Sequence, residues 1–139
     1  MANILIAAVV ATRIPLGREP KHGELHPLLQ SIAILRDQGH SVTHVETGAD
    51  AKQALIAVTP DVVVVGSTPL RDGLHLNVIS TLIELDLINK VRVIALTQIG
   101  EYGEPFLMRE EYADAHVDIS CSGWQLVYTV RQVLRPPRF

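Results

Sequence analysis

Two histidines four residues apart, His22 and His26, sit beside Glu19 and Glu24. Imidazoles and carboxylates at that spacing could form a metal-ligand set or a pH-sensitive one. The spacing works best on a helix, and no sustained helical pattern precedes Leu25. Metal binding is therefore not the expected use of the pair. Ser67 and Thr68 follow Gly66 at the end of an apolar run. A hydroxyl there could accept a phosphoryl group from an outside kinase, but loop hydrogen bonding is its simpler use. Gly66-Ser67-Thr68-Pro69 is not the Gly-x-Ser-x-Gly elbow of a hydrolase. No Gly-x-Gly-x-x-Gly follows the first apolar run, and no Walker-type Gly-Lys-Ser/Thr is present. Cys121 is the single cysteine, so it can form no internal disulfide. His75, in a helical stretch, reads as part of a solvated face. These residues do not assemble a catalytic set, and no enzyme, cofactor or metal is expected.

The chain has 139 residues, the size of one ordinary domain. Its formal net charge of -3 comes with no basic block, so phosphate neutralisation, the main source of nucleic-acid affinity, is hard to supply. The apolar start, Ile4 to Val10, is too short to span a bilayer and has no basic segment before it. A cytoplasmic protein with neither nucleic-acid nor membrane partners is expected. Charged residues make up 19%, which is low, and hydrophobic residues 47%. That balance points to helices buried on two sides or to an apolar patch covered by a protein partner or a second copy.

Short runs rich in Val and Ile mark the strands. They are Ile4–Val10, Val62–Val65, Val91–Leu96 and the weaker Val117–Cys121. Continuous apolar runs imply burial on both faces, as in a parallel sheet. Ser41–Val45 alternates polar and apolar, which fits an edge strand. Helical spacing fills the gaps at Leu25–Gln38, Ala49–Val58, Gly73–Ile88, Glu104–Asp114 and Ser122–Leu134. Ser122 is placed to cap the last helix. In the third helix, Leu74, Val78, Ile79, Leu82, Ile83 and Leu85 can face the sheet. Leu76, Leu87 and Ile88 are then left over for a partner. Strand and helix alternate five times, which implies a parallel sheet with helices on both faces. The irregular stretch from Ala11 to Glu24 is long for a strand-to-helix loop, and reads as a solvated insertion or a lid over the strand ends.

The middle of the chain carries an ordered set of short motifs. These are Gly39 before the second strand, Gly48-Ala49-Asp50-Ala51 with Ala54-Leu55, and Pro60-Asp61 before four valines. Pro69-Leu70-Arg71-Asp72-Gly73-Leu74 and a fourth strand ending at Thr97 follow. Over about residues 30 to 134 this resembles the receiver domain of response regulators. The resemblance implies a flavodoxin-like, CheY-like doubly wound sheet of five parallel strands, order 2-1-3-4-5, in a single domain.

It also implies a phosphorylation site, and there the sequence departs. In that family two acidic residues end the first strand and an aspartate ends the third. Together they hold Mg²⁺, a hard cation that requires carboxylate oxygens. The aspartate takes the phosphoryl group, and a Ser or Thr and a Lys contact its oxygens. Matched position by position, Ala8 and Val9 replace the acidic pair, Gly66 the acceptor and Cys121 the lysine. Only Thr97 fits. The resemblance is thus to an atypical, or pseudo-, receiver that signals through protein contacts in a two-component or phosphorelay-type pathway.

Such receivers use a face built from the fourth helix, fifth strand and fifth helix. Here it would include Phe106, Met108, Tyr112, Trp124 and Tyr128. Trp124 and Tyr128 either anchor an interface or pack the last helix on the sheet. Self-association through this face or the third helix is a further expectation. Cobalamin-binding domains share the strand order. The third-strand end Val65-Gly66-Ser67 resembles theirs, and the loop offers His22 or His26 as an axial base. Neither histidine has both the Asp and the Gly of that family's motif.

Overall fold

A computed structural model describes residues 1–9, 27–66, 74–98, 113–119 and 123–135. The strands are β1 (Asn3–Ala7), β2 (Ser41–Val45), β3 (Val62–Gly66), β4 (Arg92–Gln98) and β5 (Ala115–Ile119). The helices are α1 (Pro27–Asp37), α2 (Gly48–Ala57), α3 (Leu74–Glu84) and α4 (Trp124–Leu134). All neighbouring strands pair in parallel, in the order β2-β1-β3-β4-β5. This is the flavodoxin-like doubly wound arrangement, with β2 at an edge as its alternating pattern requires.

Successive strand residues point to opposite faces, and both faces are covered. Ile4, Ile6, Val62, Val64, Ile94 and Leu96 pack under α1 and α4 with Leu28, Leu35, Leu126 and Val130. Leu5, Val63, Val65, Val93 and Ala95 pack under α2 and α3 with Ala51, Leu55, Val78 and Leu82. This explains the unbroken apolar runs. Each of the four valines of β3 is fully buried, and such burial is worth roughly 1.5–3 kcal/mol per side chain.

Two aspartates lock the amino ends of the strands. Asn3 N–H donates to Asp61 Oδ2 at 2.8 Å, and Asp61 N–H donates to Asn3 O at 2.7 Å. Across the sheet, Val93 N–H donates to Asp114 Oδ2 and Asp114 N–H to Val93 O, each at 2.8 Å. In both places a carboxylate satisfies a backbone donor of the adjacent strand and fixes register.

The helix ends differ from the sequence reading at two places. Helix α3 stops at Glu84, not Ile88. Leu87 N–H bonds to Leu82 O at 2.7 Å and Asp86 N–H to Ile83 O at 3.0 Å. This is a Schellman cap, with Asp86 in the left-handed region at φ 57°. The turn carries Leu87 and Ile88 back against the second core cluster and leaves Ile83 and Leu85 exposed. The expected assignment is reversed there, with Leu87 half-buried against the core cluster. Helix α1 ends with the same cap, closed by Gly39 at φ 92°. Glycine adopts that conformation freely and aspartate does not. Asp86→Gly is therefore expected to stabilise the fold by about 1 kcal/mol or less. The exposed Lys90–Asp86 pair that it removes, 3.7 Å apart, contributes little. A rise in the urea midpoint at unchanged slope checks this, and a fall would contradict it.

The second difference is the start of α4. Its N-cap is Gly123, with no side-chain cap, and not Ser122. Helix α1 supplies the partners instead. Gly123 N–H donates to Gln30 Oε1 at 2.6 Å. The buried Ser31 hydroxyl lies 2.9 Å from both Gly123 O and Pro27 O and shares its proton between them. Residues 104–112, expected to be helical, lie outside the described set, and Ala113 and Asp114 are not helical.

Candidate functional site

In a doubly wound sheet, ligands and chemistry sit beyond the carboxyl ends of the strands. Register places Ala7 beside Val45 on one side and Val65 on the other, and Gly66 beside Leu96. The residues that follow these pairs form the floor of the strand-end crevice. Ala8 is completely buried and Val9 is half-buried. Gly66 lies directly against Ala8. A Cβ added to Gly66 would stand 3.2 Å from Ala8 Cβ and 3.4 Å from Ala8 Cα. Small residues at both places let the two strand ends close on each other, so a methyl group occupies this part of the crevice.

The end of β1 is held by its neighbours. Ala8 N–H donates to Val45 O at 3.1 Å. His44 Nε2 stands 2.8 Å from Ala8 O, so that nitrogen carries the proton and donates. Nothing local in the chain marks His44 for this role. Its role depends on the sheet placing β2 beside β1, 36 residues away in the chain.

The remaining sequence candidates are spread around the molecule. Thr97 lies on β4 at the level of Asp118 on β5, near the same strand ends. Leu76 lies in the first turn of α3. His22, His26, Ser67, Phe106, Met108, Tyr112 and Cys121, and the loop from residue 11 to 24, lie outside the described residues. Among the described residues no three His, Cys, Asp or Glu side chains gather into a metal-binding group. No described helix is long and apolar enough to cross a membrane.

Trp124 and Tyr128 do not pack α4 on the sheet. They are 55% and 60% exposed, and Leu126, Val127 and Val130 make that contact. Two grooves lie away from the strand ends. One, of about 300 Å³, is lined by Asn3, Ser41, Thr43, Ala54, Val58 and Pro60 beside the edge strand. The other, of about 240 Å³, runs between the carboxyl end of α1 and α4.

No protein-family model matches the sequence, nor does any curated protein. Solved structures do match. The chain aligns along its full length with a response regulator protein from Burkholderia multivorans, over 100% of both chains at 19% identity and a TM-score of 0.64. It covers 94% of itself and 95% of the receiver domain of a sensor histidine kinase from Pseudomonas aeruginosa, at 18% identity and a TM-score of 0.63. That domain has a magnesium ion coordinated in its active-site cleft. It also matches NtrX from Brucella abortus at 16% identity and a TM-score of 0.65, spanning 96% of this chain but about a quarter, 26%, of that one. At such identities the likeness is one of architecture, and the chain has the fold of a response-regulator receiver.

Proposed function

We propose that this chain is a receiver-like signalling module that accepts no phosphoryl group and works by protein contact, in a two-component or phosphorelay-type pathway of the cytoplasm. It carries no catalytic activity of its own on this reading. The observation that carries it is the junction of β1 and β3. A receiver's chemistry needs carboxylates at those strand ends to strip water from Mg²⁺ and to attack phosphorus. Here Ala8 is buried, Val9 is apolar, and Gly66 sits within contact of Ala8. The family's lysine position carries Cys121, which cannot neutralise a dianion. The architecture of a switch is kept, and the groups that would trigger it are replaced by packing.

Incubation with acetyl phosphate and Mg²⁺, followed by intact-mass measurement, tests the reading. No phosphoryl adduct is expected, and beryllofluoride should leave the melting temperature unchanged. A stoichiometric adduct on any carboxylate would sink the proposal. Output then rests on exposed side chains, and Trp124 and Tyr128 are the largest exposed aromatic groups among the described residues. A partner protein or a second copy of the chain would cover them.

A further inference from the structure

Helix α4 carries more than two exposed aromatics. Trp124 and Tyr128 are one turn apart, Arg131 is seven residues beyond Trp124, and Arg135 is seven beyond Tyr128. At 3.6 residues per turn these four lie along one stripe. All four are exposed. Trp, Tyr and Arg are the residue types that dominate binding energy at protein interfaces.

The stripe borders the groove between α1 and α4. Arg131 and Arg135 belong to both, and Leu35, Val127, Val130 and Leu134 make the groove apolar. His40 also lines it. Its Nδ1 accepts Ala2 N–H at 3.1 Å, so a neutral ring carries its proton on Nε2 and presents a donor. Gln38 completes the lining, and no carboxylate is among these residues. Neither arginine has an ion-pair partner among the described residues. The site therefore offers an apolar floor, an aromatic ridge and two guanidinium forks with no carboxylate partner among the described residues. An occupant must bring apolar side chains for the floor and carboxylates for the forks.

We infer that this face docks an acidic amphipathic helix of a partner protein. The inference deepens the contact-based reading above and rests on it. A helix fits a straight stripe because its anchors recur at three and four residues and match the α4 spacing. A bare anion would use the arginines but not the Trp124–Tyr128 ridge or the aliphatic floor. A second copy is disfavoured by charge. The described carboxylates nearest in sequence to exposed apolar residues, Glu84 at the end of α3 and Asp86 in the turn that follows it, lie across the sheet from α4. Pairing α4 with α3 would be heterologous, head-to-tail, and not the self-complementary contact of a two-fold dimer.

Selection of a displayed library of helical peptides against the full chain, without phosphodonor, tests this. Selected peptides should pair Leu or Phe at i, i+4 and i+7 with flanking Asp and Glu. Trp124 is the chain's one tryptophan, so its emission should shift when such a peptide is added. Arg131→Glu with Arg135→Glu should weaken these peptides by about tenfold or more and turn the selection toward basic sequences. Trp124→Ala with Tyr128→Ala should weaken both kinds. Circular dichroism of each variant confirms that α4 is intact. Peptides without acidic enrichment, or a selection unaltered by the charge reversal, overturn the inference. A Trp124 shift with phosphatidylserine vesicles and no peptide enrichment would assign the face to a membrane surface and overturn it equally. The phosphorylation assay is independent. An acyl-phosphate with intact peptide binding would sink the phosphorylation-independent reading alone, and absent binding with no acyl-phosphate would sink this inference alone.

Discussion

Replacing Gly123 with alanine is expected to destabilise the protein by about 2–3 kcal/mol. Conformation is not the reason. Gly123 sits at φ −73°, ψ −11°, which any residue adopts, and alanine has the better helix propensity. The reason is space. A Cβ there would stand 2.5 Å from Ser31 N, 2.6 Å from Pro27 O and 2.8 Å from Ser31 Oγ. The first two are backbone atoms inside α1 and cannot rotate aside. The start of α4 would have to retreat, stretching the bonds from Gly123 N–H to Gln30 and from Ser31 to Gly123 O. Buried polar groups left without partners add their own cost. Urea unfolding should show a lower midpoint at unchanged slope. Adding Ser31→Ala should not restore it, because the closest obstacle is backbone. Retreat of α4 from α1 would also widen the groove that Arg131 and Arg135 border, so peptide binding should weaken in the same variant. A variant as stable as wild type would show that the two helices are not this close.

That contact shows where sequence reasoning reached its limit. Ser122 is the cap that a local rule selects, because capping is read within a few residues. The cap in place, Gln30, is 93 residues away and appears only when α1 and α4 are packed. His44 is hidden for the same reason, since its partner Ala8 lies 36 residues away. The strands were legible because Val62–Val65 and Ile4–Ala7 are apolar at every position, and only a sheet covered on both faces needs that. Strand order was legible only through the resemblance, since periodicity does not say which strands are neighbours. The end of α3 is masked in the sequence for a definite physical cause. Leu85, Leu87 and Ile88 continue an apolar helical pattern, and the residue that breaks it is an aspartate in a conformation usually given to glycine. Much of the candidate site was legible in one respect. Its distinguishing feature is residue type at strand ends, and Ala8, Val9 and Gly66 could be counted along each strand from the sequence.

Restoring carboxylates at those strand ends should not simply restore a receiver. The double variant Ala8→Asp with Gly66→Asp is expected to lose about 3 kcal/mol or more of stability. Ala8 has no exposed surface, and a Cβ at position 66 would already stand 3.2 Å from the Ala8 methyl and 3.7 Å from Ala7 O. Two carboxylates placed there would repel each other, face a carbonyl oxygen and lose hydration. A single charge that is buried without a partner is a severe defect, and a like-charged pair is worse. A divalent cation is the one simple partner that answers both charges. Adding millimolar Mg²⁺ should therefore recover part of the lost melting temperature in the double variant and leave wild type unchanged, while NaCl at matched ionic strength recovers less. Acetyl phosphate should still give no adduct in the variant, because Cys121 offers no counter-charge to the transferred group. Selective rescue by Mg²⁺ would show that positions 8 and 66 converge as the metal-binding positions of a receiver do. Equal rescue by Na⁺, or none by Mg²⁺, would mean that the two positions do not form one pocket. The proposal that a phosphorylation site was replaced by packing at this junction would then have to be abandoned.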